Sequence, residues 1–302
     1  MNKPLVNIAM ITYNHGNFIA QAIEGVLMQK TTFDFQLVIG EDCSTDNTYE
    51  ICLKYKNEYP EKIVLLHNEI NIGVYNNLIK TFNACEAKYL GTCEGDDYWT
   101  DPYKLQKQVD FLEKNNDFSM TFHRSSILYE NENKIIEANN NFNENKEFDG
   151  VEAYKKMSFQ SGSMVYRKNL FVPPKNFEKY IFPDNGIILS LAMHGKFYGF
   201  SDIMSVYRKH DGGLSNPSWE KAMKFLEMMD LIDSDFGEKV HNATKYRRYN
   251  RFTYLGSIYA KKKSHILFYK CLYNATKYNP KFFFKKDMYK LLKDYFYTLL
   301  FK

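Results

Sequence analysis

The run Glu94-Gly95-Asp96-Asp97 puts three carboxylates into four residues. Two carboxylates separated by one small residue can hold a hard divalent cation that also grips a diphosphate. An isolated acid-Gly-acid triplet is more commonly a solvated turn, so its flanks decide between the readings. Before it, Tyr89 to Cys93 reads as a short, mostly apolar strand. After it, Asp101 and Pro102 mark a helix start, an N-cap acid with proline at the first helical position. Leu105, Val109 and Leu112 then supply an i, i+4, i+7 apolar face. The acids therefore cluster at the C-terminal end of a strand, where open α/β sheets bind ligands.

The elements that must position this turn begin with Leu5 to Ile11, an apolar run expected of a buried parallel strand. It ends in Thr12-Tyr13-Asn14-His15-Gly16, and a helix follows with Phe18, Ile19, Ala22, Ile23, Val26 and Leu27 inward. Phe35 to Ile39 is the second strand. Its loop runs through Glu41, Asp42 and Cys43 to Ser44–Asp46, which offer N-caps for a helix stopping near Pro60. Ile63 to Leu66 is the third strand, followed by the turn Asn68 to Gly73 and a helix through about Ala87. Strands alternating with helices predict a parallel sheet with right-handed crossovers. Further on, Ser119 to Leu128 reads as a strand, and Glu130 to Glu147, rich in Asn and charge, as a mobile excursion. Ser161 to Tyr166 is a strand, Asp184 opens a helix, and Phe197–Phe200 and Ile203–Tyr207 are short strands. These lead to Arg208-Lys209-His210-Asp211-Gly212-Gly213, whose glycines suit a loop that closes over a ligand.

Glu-Gly-Asp-Asp-Tyr-Trp-Thr-Asp-Pro, continuing through Leu112, resembles the Asp-x-Asp region of family-2 glycosyltransferases, in particular bacterial members that build surface polysaccharides. That resemblance implies a GT-A fold: an α/β domain with a mainly parallel central sheet. It also implies transfer of a sugar from a nucleotide diphosphate. The earlier loops match in order. Asp42 occupies the place of the second acid in the family's Asp-Asp-Gly-Ser-Thr-Asp loop, which recognises base or ribose. Thr12, Tyr13 and Asn14 fall where the first loop contacts the nucleotide, and Asn71 and Gly73 match the Asn-x-Gly turn beside the donor. The metal, Mn²⁺ or Mg²⁺, is then held by Glu94 and Asp96, with His210 as a further ligand. Asp184 is implied as the general base, with a plain helix cap as its alternative. Asp97 and Trp99 are assigned to the donor or acceptor sugar pocket, a core position being the alternative for Trp99. His15, His67, His123 and His194 acquire no special role from their spacing.

Length and charge bound the rest. A chain of 302 residues holds one large domain or a domain with an appended module. The expected division is a catalytic domain over 1–215, with its nucleotide part in 1–100 and acceptor part in 101–215, and a helical extension over 216–302. Five cysteines without a C-x-x-C pair fit reduced thiols and argue against a zinc site. No signal-peptide pattern and no spanning run of apolar residues is present, so a cytoplasmic protein is expected. The net charge of +4 hides an asymmetry: from Lys239 onward sixteen Lys and Arg face two acids, a surplus of +14. In that tail Phe284, Met288, Leu291, Tyr295 and Leu299 form one stripe, with Lys285, Lys286, Lys290 and Lys293 largely opposite. The stripe reads as lying on an anionic membrane face, or else as packing inside the protein or a dimer. Nucleic-acid binding ranks last, because no recognised motif accompanies the charge.

Together these features predict an inverting, metal-dependent transfer of one sugar from a UDP-linked or similar donor to a lipid-linked or cell-surface glycan. The Gln-x-x-Arg-Trp motif of processive synthases is absent. A sugar-1-phosphate nucleotidyltransferase is the competing enzyme class, though its Gly-rich phosphate loop is missing. A non-catalytic nucleotide-sugar-binding protein is the competing binding class.

Overall fold

The computed structural model describes residues 3–138, 142–156, 159–213, 216–284 and 286–301. In chain order the elements are β1 (Val6–Thr12), α1 (Ile19–Leu27), β2 (Phe35–Glu41), α2 (Thr48–Glu58), β3 (Ile63–His67), α3 (Gly73–Ala84) and β4 (Tyr89–Thr92). Then come β5 (Tyr98–Trp99), α4 (Lys104–Lys114), β6 (Phe118–Tyr129), β7 (Lys134–Glu137), β8 (Lys146–Phe148), α5 (Gly150–Lys156), β9 (Val165–Arg167), α6 (Asp184–Ala192) and β10 (Lys196–Lys209). Four helices complete the chain: α7 (Trp219–Phe236), α8 (Glu238–Lys261), α9 (His265–Tyr278) and α10 (Lys286–Phe301). The chain divides into two compact units. One ends at Asp211 and contains the whole sheet; the other begins at Gly212 and adds Tyr154–Lys156 and Lys179–Ile181.

In the first unit the strands run in the order β3-β2-β1-β4-β9-β6-β10-β5. The parallel expectation holds for β3, β2, β1 and β4. Beyond β4 the sheet is mixed, because β9 enters antiparallel to both β4 and β6. Arg167 fixes it there. Its guanidinium donates to the carbonyls of Phe118 (2.9 Å) and Leu112 (2.5 Å) and to the Tyr89 hydroxyl (3.1 Å). A buried charge is tolerated when its donors are all engaged in this way. β1 and β2 are buried on both faces, as a parallel strand covered by helices must be. α1 buries Ile19, Ala22, Ile23 and Val26 in the same core as Val6, Ile8, Leu37 and Ile39.

Four local readings change, the first being the expected strand Ser161–Tyr166, which is a 3-10 turn over Ser161–Ser163 followed by β9. The expected mobile excursion after Glu130 contains β7, paired with β6, and β8, paired with β10; residues 139–141 lie outside the described part. The two short strands near 197–207 are one strand, β10, broken in register between Phe200 and Ser205. α4 begins at Lys104 rather than at Pro102, with the Asp101 carboxylate accepting from the Tyr103 amide at 2.8 Å.

The second unit has its own core, built from Tyr249, Phe252, Leu255, Phe268, Cys271, Phe282, Leu291 and Tyr295. Leu291 and Tyr295, expected on a membrane-facing stripe, are instead 5% and 3% exposed. Tyr295 stacks on Phe268 with ring centroids 4.1 Å apart. The middle of the stripe is core, while Met288 is half-buried and Leu299 is 38% exposed. Lys285 and the side chain of Phe284 lie outside the described residues.

Behind the acidic turn sits a lysine that the sequence does not single out. Lys104 is fully buried, its Nζ 3.9 Å from the Trp99 ring centroid and 2.8 Å from Gln108 Oε1. Burial pulls its pKa down to about 7, against the opposing pull of Cys93 and Asp101. A lysine in the unfolded chain titrates near 10.4. Between about 7 and about 10 the unfolded chain therefore binds a proton that the folded chain lacks, so stability rises with pH across this window. Lys104→Met removes that dependence. Chemical denaturation of wild type and Lys104→Met from pH 6 to pH 10 should show wild type gaining on the variant by a few kcal/mol (roughly 1.4 per pKa unit). Parallel curves would mean that Lys104 stays solvated.

Candidate active site

β1 and β4 are parallel neighbours, so the loops leaving their C-terminal ends must meet. The Cys93 and Gly95 amides continue the ladder, donating to Ala9 and Ile11 carbonyls at 3.2 and 3.1 Å. Gly95 is required for this approach. A Cβ there would lie 2.6 Å from Thr12 Oγ1 and 2.9 Å from His15 Nδ1. From the other side β10 supplies Arg208. Its amide donates to Asp97 Oδ1 (2.8 Å) and its Nε to the Asp96 carbonyl (2.9 Å). The rest of its guanidinium reaches Glu130 and Gln21 at 2.5 and 2.6 Å.

At the meeting point two imidazoles converge on one carboxylate. His210 Nε2 lies 3.0 Å from Asp96 Oδ2, and His15 Nε2 lies 3.9 Å from the same oxygen. Thr12 Oγ1 contacts His15 Nδ1 at 3.2 Å and so aims Nε2 inward. One donor atom from each of His15, Asp96 and His210 falls within 4.8 Å of the others. Metal–ligand bonds of about 2.0–2.2 Å place neighbouring donors roughly 3–4 Å apart, so the set fits a single divalent ion. Imidazole with carboxylate suits ions such as Mn²⁺. Burial opposes the charge on Asp96, yet the His210 hydrogen bond and both imidazoles hold its carboxyl below the ordinary range. Burial also lowers the pKa of His15, leaving it a neutral ligand.

Glu94 points elsewhere. Its Oε1 accepts from Ser161 Oγ at 2.6 Å, and its buried Oε2 has no partner within the described residues. Burial pushes its pKa up to about 7 against the Ser161 hydrogen bond, with Asp96 and Asp184 adding repulsion. Asp184 is thus close enough to be felt at Glu94. It is the first residue of α6 and accepts from the Asn185 side chain at 2.9 Å. Asp97 is buried too, and burial, then Asp96 and Glu94, raise its carboxyl well above the usual range.

The turn that carries Ser161 is clamped at three successive carbonyls. Thr92 Oγ1 donates to Ser161 O (2.6 Å), Trp99 Nε1 to Gly162 O (2.8 Å) and Gln108 Nε2 to Ser163 O (3.0 Å). Gly162 faces both acids. A Cβ on it would lie 3.4 Å from Glu94 Oε2 and 3.6 Å from Asp97 Oδ2. Trp99, expected at the sugar pocket, is 2% exposed and part of the core, so it reaches the site only through this clamp.

The remaining candidates form a rim. Asp42 is buried, its carboxylate accepting from the Ile72 and Gly73 amides (both 2.9 Å) and from Asn68 (2.9 Å). Asn71 donates to the Asp42 carbonyl at 3.1 Å, and Gly73 has φ +82°. Asn14, at φ +55°, ties the first loop to the second through the Ser44 hydroxyl and the Thr45 amide. Tyr13 stands 42% exposed between them. The structure therefore brings Thr12, Asp96 and His210 together, adds His15, and groups Glu94 and Asp97 with Ser161 and Gly162. Of the missed residues, His15 lies on the loop leaving β1 and Ser161 and Gly162 on the turn entering β9, the two strands that flank β4, whereas Arg208 lies within β10.

The sequence pattern of Glycosyl transferase family 2 matches residues 7–172. An uncharacterized protein of Mycobacterium tuberculosis is 32% identical over 234 residues, which are 74% of this chain. The match spans 64% of that relative's length. Among solved structures, S. aureus TarS 1–349 in complex with UDP-GlcNAc superposes with a TM-score of 0.60 at 14% identity, covering 97% of this chain and 81% of that 1–349 chain. The mannosyltransferase PcManGT from Pyrobaculum calidifontis, in complex with GDP-Man and Mn²⁺, gives 0.59 at 12% identity, covering 100% and 89%. At such identities these neighbours establish the fold, a GT-A-like α/β sheet with a helical C-terminal region. A pattern match over more than half of its length makes the chain a member of glycosyl transferase family 2.

Proposed function

We propose that this chain is an inverting, metal-dependent glycosyltransferase that moves one sugar from a nucleotide-diphospho-sugar, UDP-linked, to a lipid-linked or cell-surface glycan. The observation that carries the reading is the convergence of His15 and His210 on Asp96, in the same acidic turn that carries Glu94 and Asp97. A divalent cation held by the first three would neutralise charge on the departing diphosphate. The two neighbours crystallised with UDP-GlcNAc and with GDP-Man and Mn²⁺ support a donor and an ion of this kind.

The chain's own groups divide the remaining work. The loops after β1 and β2, with Tyr13 exposed on them and Asp42 and Asn71 ordering the rim, form the nucleotide platform. Glu94 and Asp97 accept hydroxyls of the donor sugar in the space that Gly162 leaves open. Asp184 takes the proton from the acceptor hydroxyl as it attacks, and a single displacement inverts the anomeric centre.

Five substitutions test the assignment, read with a donor panel, product detection and metal titration. Asp96→Asn should abolish both transfer and Mn²⁺ binding in a folded protein, while His15→Ala and His210→Ala weaken Mn²⁺ binding. Full activity of Asp96→Asn in chelator would remove the metal from the reading. Asp184→Asn should cost about 10²–10⁴-fold in turnover with donor affinity retained. If donor affinity and melting temperature fall along with turnover, Asp184 is a helix cap. Gly162→Ala places its methyl at ordinary contact distance from both acids, so the fold should survive. Its kcat/KM should nevertheless drop about 10²-fold as the sugar is displaced. Unchanged kinetics would move the sugar away from Glu94 and Asp97.

A further inference from the structure

The second unit carries a surface that the transferase reading leaves unused. Beside the exposed Asp287 and Leu299, α10 exposes Lys286, Tyr289, Lys290, Lys293, Phe296 and Tyr297, spaced i, i+3, i+4, i+7, i+10 and i+11. They form one stripe opposite the buried Leu291 and Tyr295. On α9 a second stripe holds Ile266, Tyr269, Lys270, Tyr273 and Lys277. Neither stripe contains an acid. Asp287 accepts a hydrogen bond from Tyr249 of α8 at 2.9 Å, and Asp294 is only partly exposed. The two stripes adjoin. Tyr269 and Phe296 both flank the Tyr295 ring, with centroids 5.9 and 5.6 Å away. Nearer the other end, Tyr273 and Met288 line one cavity of about 530 Å³ together with Leu272, Thr276, Lys277 and Pro280.

Exposed aromatic rings at this density are unusual for a surface in water: Tyr273 and Tyr289 are each 72% exposed. Tyrosine and lysine interleaved on a helix face are the composition that sits at a lipid headgroup layer. There the ring enters the boundary and the ammonium meets phosphate. Among the described residues no helix is long and apolar enough to cross a membrane, so contact would be lateral.

We propose that the outer face of α9 and α10 docks on an anionic lipid bilayer. Its lysines pair with headgroup phosphates, its rings enter the interface, and the cavity beside Lys277 admits part of an acyl chain. This deepens the proposed transfer to a lipid-linked acceptor by giving it a place to occur, yet binding requires neither donor nor metal. Electrostatic attraction decays within a Debye length, whereas ring insertion does not depend on salt. Docking should therefore weaken but persist as salt rises.

The test is co-sedimentation of the full chain with vesicles of phosphatidylglycerol and phosphatidylcholine, and with phosphatidylcholine alone, at low and high salt. Wild type should bind the anionic vesicles several-fold more strongly than the neutral ones, which retain only the salt-resistant part. Lys290→Glu/Lys293→Glu should lower partitioning by about tenfold or more at low salt. Tyr273→Ser/Phe296→Ser should abolish the salt-resistant part. All four positions are exposed, so melting temperatures should stay at the wild-type value. Asp96→Asn should bind vesicles like wild type, which separates failure of this surface from failure of the transferase reading. Equal binding to both vesicle types, or no binding, overturns the proposal. So does a mass by light scattering that falls from dimer to monomer in the ring variant, since the face would then be occupied by a second copy.

Discussion

Everything at the site depends on the parallel pairing of β1 with β4. Parallel neighbours end at the same edge of a sheet, so Thr12 and Glu94 leave their strands side by side although 82 residues separate them. Gly95 then decides how close the two loops come, because any side chain would collide with Thr12 and His15. The approach fixes the distance between His15 and Asp96. It also leaves the acidic turn free on its far side, where Arg208 from β10 takes hold of Asp96 and Asp97. The acid-Gly-acid spacing is thus a packing requirement as much as a chemical one. The acids supply charge, and the glycine lets a second loop reach it.

This explains which parts were legible in the sequence. The strands β1, β2 and β4 are largely apolar runs because both their faces are buried, and apolar runs are visible without a structure. The acidic turn was visible because it follows one of them. His15 was not, since its partnership with Asp96 comes from strand order and no local spacing encodes that order. The strands β7 and β8 were missed for a different reason. Residues Lys134–Glu137 are all exposed, and the strand is held by backbone pairing to β6 rather than by burial. Such a strand has no hydrophobic signature, and its composition matches that of a solvated loop. Trp99 shows the converse. Its place beside the acids suggested a sugar contact, whereas its indole lies beneath the site and acts through one hydrogen bond to Gly162.

The C-terminal helices show a limit of periodicity itself. α10 has aromatic residues on both faces: Tyr295 on the buried side, and Tyr289, Phe296 and Tyr297 on the exposed one. A 3.6-residue period identifies the more apolar face but says nothing about what covers it. Here α8 and α9 cover it, and the more informative face is the one mixed with lysine. Charge placement carries the distinction, because a helix packing on both sides would not line one side with ammonium groups that have no ion-pair partner among the described residues.

The carboxylates at the site share one electrostatic predicament. Glu94, Asp96, Asp97 and Asp184 repel one another in a region where burial already penalises charge. Arg208 and the two histidines offset only part of this, and offset it unevenly. Asp96, beside both imidazoles, is held ionised, whereas Glu94 is pushed to about 7 and Asp97 well above the usual range. A fold selected for stability alone would replace at least one of these acids. On the proposed reading, an incoming group that supplies positive charge and hydroxyl donors together would relieve this repulsion. Such a group stabilises the folded chain in proportion to how tightly it binds. The clamp on residues 161–163 belongs to the same logic, since an orphaned carboxylate oxygen would turn toward any donor within reach. Thr92, Trp99 and Gln108 hold the turn so that Ser161 satisfies one oxygen of Glu94 and leaves the other for a ligand.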